Sequence, residues 1–321
     1  MLRGRWANVL GTILKELYNL IERLVKQYWP RRTLKNFSTP ASTVQAVVAG
    51  YEQDATLEAA LKRMVRLEKA LKRNDGRRFF LKAYRQMTGS LQKTLEKQPE
   101  KPFFNDPQWV DAFGAAFARL YFKRLKAYYE GGQTAQPVCW RQAFLVAALS
   151  PAPRFRAMLA GINGHLLYDI PIALAETGVF ELPGMAERQE DFLRINKLIW
   201  RNINPIKRMV LNSRREQLLS LLSEGLGGMV NLVVFNGFVL QREYAWRSGM
   251  ELAQEAIDPA ELDRRACEHL THLNTWSGVV GIVLEILVYY CFKGKTAAEN
   301  IQSEAAVSSA PEAEKSAPAL V

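Results

Sequence analysis

The stretch Gln108–Glu130, QWVDAFGAAFARLYFKRLKAYYE, decides the fold class. Trp109, Phe113, Phe117, Leu120, Tyr121 and Leu125 return every three or four residues, the period of one face of an α-helix. Strands would alternate every second residue, and period-two alternation is almost absent from the whole chain. Working outward, the same helical spacing predicts helices over Thr43–Lys72, Arg77–Lys97, Trp140–Leu149, Phe155–Thr177, Gln189–Trp200 and Asn204–Glu224. The breaks between them carry turn chemistry: Asn74-Asp75-Gly76, the loop 98–107 with Pro99, Pro102 and Pro107, and Gly131-Gly132 to Pro137. Pro171 is expected to kink or interrupt the Phe155–Thr177 helix. The expected fold is all-α: a single large multi-helix domain, with an appended N-terminal amphipathic helix and a disordered C-terminal tail.

Composition agrees with a folded helical body. The 321 residues are 48% hydrophobic and 23% charged, which excludes a collagen, a small disulfide-stapled toxin and wholesale disorder. Cys139, Cys267 and Cys291 form no CxxC pair, so a reduced compartment is expected. His165, His269 and His272 leave little room for a His-rich metal centre. The formal net charge of +11 points to an acidic partner, but it is unevenly placed. Residues 1–35 carry +6, residues 36–60 carry −3 and residues 61–100 carry +8, so residues 101–321 are neutral.

The basic N-terminal third begins with an amphipathic pattern from Leu2 to Tyr28, closed by Pro30. A basic helix of this kind with a Trp suits an in-plane membrane helix, with Trp6, Leu10, Leu17 and Lys26 at the surface. The competing expectation is a helix packed on its own domain or on a second subunit. No uninterrupted apolar run there is long enough for a signal peptide. The domain limits follow: basic helix and linker over 1–36, helical core over 37–294, disordered tail over 295–321. Gly225–Leu240 and Trp276–Phe292 are apolar, but shorter than the roughly 20 residues that span a bilayer. Both are expected to be buried core helices. The basic set from Lys62 to Arg85, which includes Arg63, Arg77 and Arg78, could follow a phosphate backbone. It interleaves with apolar helix positions, so a solvated face is preferred and nucleic acid is disfavoured.

Residues 161–171, GINGHLLYDIP, form the most specific local string. On a helix, His165 and Asp169 share a face at i,i+4. That pair suits a carboxylate fixing the tautomer of an imidazole base, or two ligands of a metal. It equally suits a buried hydrogen bond between helices. A second string, QREYAW at 241–246, places Arg242 to hold a carboxylate, either Asp169 or a substrate anion, and Glu243 to join a metal shell. Asp191, with Phe192 and Asn196, opens a third cluster, where an N-cap is the plainer role for Asp191. Cys267, His269 and His272 lack zinc spacing, and both histidines are expected to face solvent. P-loop, GxGxxG, GxSxG, HExxH and kinase signatures are absent.

Several strings occur together in order. They are Asp75-Gly76-Arg77-Arg78-Phe79-Phe80-Leu81 with Tyr84-Arg85 and Thr88, then Asp106-Pro107-x-Trp109, Phe117-Ala118-x-Leu120-Tyr121-Phe122 and Trp140-Arg141-x-x-Phe144. The GINGHLLYDIP segment, Asp191-Phe192 and Arg242-Glu243-x-Ala245-Trp246 follow. Over roughly residues 43–292 this order resembles a bacterial family known only as a domain of unknown function, number 5995. The resemblance implies an all-helical fold and marks Asn163, His165, Asp169, Asp191, Arg242, Glu243 and Trp246 as the hallmark polar and aromatic positions. It supplies no activity. Members often carry Asn two residues after the His, where this chain has Leu167. If that Asn lines a polar pocket, the pocket here is drier or its chemistry altered.

Together these observations lead to the expectation of an enzyme acting on a small, largely apolar molecule by acid/base or metal-assisted chemistry. Hydrolysis, or a proton-transfer rearrangement including cyclisation, fits the groups better than redox chemistry. The expected catalytic set is His165, Asp169, Arg242 and Glu243. Asn163, Asp191, Asn196 and Trp246 are expected to bind substrate, in a pocket between the 155–177 and 225–247 helices. If a divalent metal is the cofactor, His165, Asp169 and Glu243 would hold it. The alternative is a non-catalytic, membrane-surface lipid-binding or scaffolding protein that uses residues 1–35 on an anionic membrane. A homo-oligomer is open under either reading. The expected location is the cytoplasm, with peripheral attachment to the inner face of the membrane as an option.

Overall fold

The computed structural model describes residues 33–35, 37–97, 102–130, 136–150, 154–181, 183–210 and 228–270. The expected N-terminal helix, with Trp6, Leu10, Leu17 and Lys26, lies outside the described residues, as do Trp276–Phe292 and the tail. The described residues all belong to one compact body within 29–277.

The chain enters through β1 (Thr33–Leu34), which pairs antiparallel with β2 (Leu149–Ser150). Among the described residues every other regular element is helical. Pro40 precedes α1 (Ala41–Val48). Gly50, at φ +70°, turns the chain into a short 3₁₀ turn, Tyr51–Gln53. Thr56 then caps α2 (Leu57–Ala70), its Oγ1 accepting from the Ala59 N–H at 3.2 Å. The single helix expected over 43–72 is therefore two. Arg63 explains how the break is held. From inside α2 it donates to the Val47, Ala49 and Gly50 carbonyls and, through two nitrogens, to the Asp54 carboxylate. Asp75 likewise accepts from Thr39 N and from the backbone and side chain of Arg77. Arg63 and Arg77 are thus buried, against the expectation of a solvated basic face.

The next helices are α3 (Arg77–Glu96), α4 (Pro107–Glu130), α5 (Val138–Ala147) and α6 (Arg154–Gly164). A π-helical turn, His165–Asp169, joins α6 to α7 (Ile170–Glu176). α8 (Met185–Val210) runs straight through Pro205, where the sequence suggested two helices. The side-chain amide of Asn202 donates to the Leu198 carbonyl in that last part. α9 (Gly228–Ala253) and α10 (259–270) complete the described fold. The described end of the apolar 225–240 stretch is not buried as expected: Leu240 is 65% exposed. Arg156–Glu176 is, among the described residues, the one helical stretch apolar and long enough to cross a bilayer, and it lies mostly inside the domain.

α4 is the spine. One core cluster gathers Trp140, Tyr121, Phe122, Phe80 and Tyr84, and a second gathers Phe113, Phe192, Trp246, Ile170 and Leu174. Phe117 packs against both. Each fully buried Phe contributes about 1.5–3 kcal/mol relative to an exposed one. Two glycines permit the closest approaches. A Cβ on Gly76 would lie 2.0 Å from the Ala147 carbonyl oxygen, and one on Gly161 would lie 2.5 Å from the Phe80 ring.

Candidate active site

Four elements converge around one imidazole. Pro171 sits in the first turn of α7, lacks an N–H and crowds the carbonyl four residues earlier. The chain accommodates it by widening: the Ile170 N–H reaches back five residues to the His165 carbonyl. This π-turn directs both His165 and Asp169 into the core, at 2% and 0% exposure. The kink expected at Pro171 therefore takes the form of a π-turn just before it.

Asp169 accepts three hydrogen bonds from three directions. Arg124 Nε from α4 donates to Oδ1 at 3.1 Å, and Trp140 Nε1 from α5 donates to Oδ2 at 3.0 Å. His165 Nδ1 lies 3.0 Å from the same Oδ2. An oxygen that is an acceptor here requires the proton on Nδ1. Burial lowers the His165 pKa below its ordinary value, outweighing the Asp169 carboxylate, which raises it. The ring is therefore neutral, and Nε2 bears the lone pair. Nε2 is sealed from solvent and has no hydrogen-bond partner. Burial lowers the Arg124 pKa, but Asp169, with Tyr168 and Cys139, offsets it and the net direction is up.

Aromatic rings box the imidazole. Phe117 stacks on it at 3.5 Å between centroids and 9° between planes. Tyr84 meets it edge-on at 4.3 Å, with Phe80 at 5.5 Å and Tyr121 at 6.2 Å. The hydroxyls of Tyr84 and Tyr121 are also buried and without partners; Thr88 lies near the Tyr84 hydroxyl but outside hydrogen-bonding geometry. Burial raises both phenol pKa values, so each keeps its O–H proton. A neutral imidazole and the protonated Tyr84 phenol thus share one apolar box near Asp169, whereas the charged groups acting on the Tyr121 hydroxyl are Arg77 and Asp75.

The remaining expected site residues are not gathered here. Arg242 does not reach Asp169. Its Nε donates to Asn196 Oδ1 at 2.8 Å, one terminal nitrogen donates to the Phe192 carbonyl at 2.6 Å, and its guanidinium lies 3.9 Å over the Phe192 ring. Between Arg242 and His165 stand Phe192, Phe113 and Phe117, each within 5.9 Å of the next. Glu243 is half-buried on α9. Asp191 spends both oxygens on the backbone N–H groups of Asn105 and Asp106 at 2.7 Å, so it holds the entry to α4 rather than capping its own helix. Trp246 is core, against Phe180 and Phe192. Asn163 ties α10 to α6: its amide donates to the Ala266 carbonyl, and its Oδ1 lies 2.7 Å from His269 Nδ1. His269 is thus half-buried and hydrogen-bonded, correcting its expected solvent-facing role; His272 lies outside the described residues.

The expected metal set does not assemble. Among the described residues no three His, Cys, Asp or Glu side chains converge to hold an ion, and Glu243 does not join His165 and Asp169. The physical reason is visible at Asp169, whose oxygens already face three N–H donors and the positive charge of Arg124. Two surface depressions, about 740 Å³ beside Glu255–Glu261 and about 310 Å³ between α3 and α8, are lined by none of the expected site residues.

The profile of a protein family, "Family of unknown function (DUF5995)", matches residues 57–278. The chain belongs to this family. No curated protein and no solved structure matches it. The match covers every residue of the box, and the geometry gives the GINGHLLYDIP string of this DUF5995 chain a physical meaning. Gly161 admits Phe80, Gly164 packs against the Trp140 indole, Asn163 anchors α10, and Pro171 forces the turn that presents His165 and Asp169. Leu167 is buried core, consistent with a dry interior.

Sequence reasoning missed Arg124 as the partner of Asp169 and read Tyr84, Phe117, Tyr121 and Trp140 as helix faces alone. One signal was present for Arg124. It is a cation on the apolar stripe Phe117, Tyr121, Arg124, Tyr128, where a charge is not expected unless paired.

Proposed function

We propose that this protein is a helical enzyme acting on a small, largely apolar substrate by acid/base chemistry, either hydrolysis or a proton-transfer rearrangement including cyclisation. The observation that supports this reading is the His165 Nε2 lone pair, sealed without a partner on a neutral ring. An unsatisfied buried polar atom has to be accounted for, and a base awaiting its substrate proton accounts for it. A π-turn is rare and is frequent at functional sites, which adds weight.

In this reading His165 Nε2 takes a proton from substrate or from a water that enters with it. Asp169 holds Nδ1–H and stabilises the imidazolium that forms, while Trp140 and Arg124 keep the carboxylate in place. The Tyr84 O–H donates to a substrate oxygen on which charge develops. Phe117 stacks on the face of the imidazole and fixes its plane, which sets the in-plane direction of the Nε2 lone pair.

The test is a panel of water-soluble esters, lactones and enolisable ketones, followed by NMR for hydrolysis and for deuterium uptake from D₂O. His165→Gln is expected to lower turnover about 10²–10⁴-fold with the helical circular dichroism unchanged. Equal turnover by His165→Gln, or no turnover anywhere in the panel, refutes the assignment. Unfolding of the variant makes the His165–Asp169 pair structural.

A further inference from the structure

Arg242 presents a different problem from the dyad. It is 3% exposed and carries a full positive charge between α8 and α9. Its two hydrogen bonds go to neutral acceptors, the Asn196 amide oxygen and the Phe192 carbonyl. Among the described residues no carboxylate faces it, and the second terminal nitrogen, Nη1, makes no hydrogen bond. Every other buried arginine among the described residues has an acidic partner: Arg63 has Asp54, Arg77 has Asp75 and Arg124 has Asp169. Burial alone pulls the Arg242 guanidinium down to about 9. Charges in protein interiors are normally paired, because an isolated one forfeits its hydration with no return.

The surroundings of Arg242 are apolar and lead outward. Phe192 lies beneath the guanidinium, and Trp246 packs against Phe192 at 5.1 Å. On α9, Phe235 and Val239 precede Arg242 by seven and three residues, which places all three on one helical face. On α8, Asn196 and Trp200 are four residues apart. Trp200 and Phe235 meet edge-on across the two helices at 5.1 Å, and Trp200 is 45% exposed. The α8–α9 seam thus runs from a sealed cation to an aromatic pair at the surface.

We infer that the α8–α9 seam binds a carboxylate carried on an apolar chain, with Arg242 as its counter-ion and Trp200 and Phe235 at the mouth. The charge argument selects a monoanion. One guanidinium neutralises one negative charge, and a phosphate dianion would leave a second charge buried and unpaired. Asn196 and the Phe192 carbonyl hold Nε and one terminal nitrogen, which fixes the guanidinium plane and leaves Nη1 for the incoming oxygen. This site is separate from the His165 box and does not depend on the activity proposed there.

The experiment is thermal melting of the full chain at pH 7 with octanoate, 1-octanol or inorganic phosphate. At a hundredfold excess over Kd, octanoate is expected to raise Tm by about 5–10 °C, and octanol and phosphate to leave it nearly unchanged. In the absence of ligand, Arg242→Met is expected to melt at or above the wild-type temperature, because it removes an uncompensated charge. It is also expected to lose the octanoate shift. Arg242→Lys keeps the charge without the planar fork and is expected to weaken octanoate at least tenfold. Equal shifts with octanol overturn the inference, and so do equal or larger shifts with phosphate. An octanoate shift that survives in Arg242→Met or is undiminished in Arg242→Lys overturns it too. If Arg242→Met does not fold, the wild-type ligand series and Arg242→Lys still decide.

Discussion

Asp169→Asn isolates what the buried carboxylate does. The substitution keeps shape and volume and removes the charge. Asp169 accepts from Arg124 on one oxygen and from both Trp140 and His165 on the other, with no solvent to replace any of them. An asparagine has one acceptor oxygen. Turned toward Trp140 and His165, it points an NH₂ at Arg124; turned toward Arg124, it points an NH₂ at the Trp140 indole N–H. Either way a donor faces a donor, and the Arg124 guanidinium is left buried beside Tyr168 without its anion. Breaking a buried pair in this way costs about 3–5 kcal/mol. At about 2–4 °C per kcal/mol for a domain of this size, Tm falls by about 6–20 °C. Urea unfolding followed by circular dichroism at 222 nm measures the loss as a lower midpoint at constant m. A double-mutant cycle with Arg124→Met should recover part of it, since the orphaned charge is then gone. A loss below about 1 kcal/mol would refute the reasoning, because the carboxylate would then not be holding charge in a dry site.

The other two predictions concern pH and steric fit. Burial lowers the His165 pKa in the folded state, so between that value and about 6.5 the unfolded chain binds more protons and stability rises with pH. Its contribution is fully present above about 6.5 and lost as pH falls through the folded-state value; stability curves of His165→Gln should be flatter across that window, and identical slopes would count against a neutral buried ring. Gly76→Ala and Gly50→Ala separate space from backbone strain. The first puts a Cβ 2.0 Å from a backbone oxygen and should cost about 3 kcal/mol or more, whereas the second meets open space at φ +70° and should cost about 1–2 kcal/mol. Chemical denaturation of both variants checks the order, and the reverse order refutes it.

Helix class and most helix positions were legible because one buried face per helix leaves a three-and-four pattern, as in α4. The break at 49–56 was not. Its agent, Arg63, is a charged residue that looks like surface on a pattern and acts through carbonyls thirteen to sixteen positions away. The continuity of α8 through 201–203 was not legible either, since packing of α8 on α3 and α9, and not a local pattern, carries the helix across. At the site, the His165–Asp169 contact was legible as an i,i+4 pair. Arg124 and Trp140 were not, since they approach Asp169 from 45 and 29 positions earlier in the chain. Arg242 was legible as a cation in want of an anion, but periodicity could not show that three phenyl rings stand between it and the dyad.

The π-turn at 165–169 makes chain length itself part of the site. A π-turn holds one more residue per turn than an α-turn, so removing one residue between Gly164 and Pro171 would close the widened turn into a regular helix, leaving α7 in phase and changing the spacing of His165 and Asp169. Leu174 and Pro171 would keep their place against Gly249, and the change would fall on the dyad. Conservative exchanges within this segment are a matter of chemistry, but a single-codon deletion there is a change of geometry for the His165–Asp169 pair. Drift in this stretch is therefore expected to proceed by substitution alone, with its number of residues held constant.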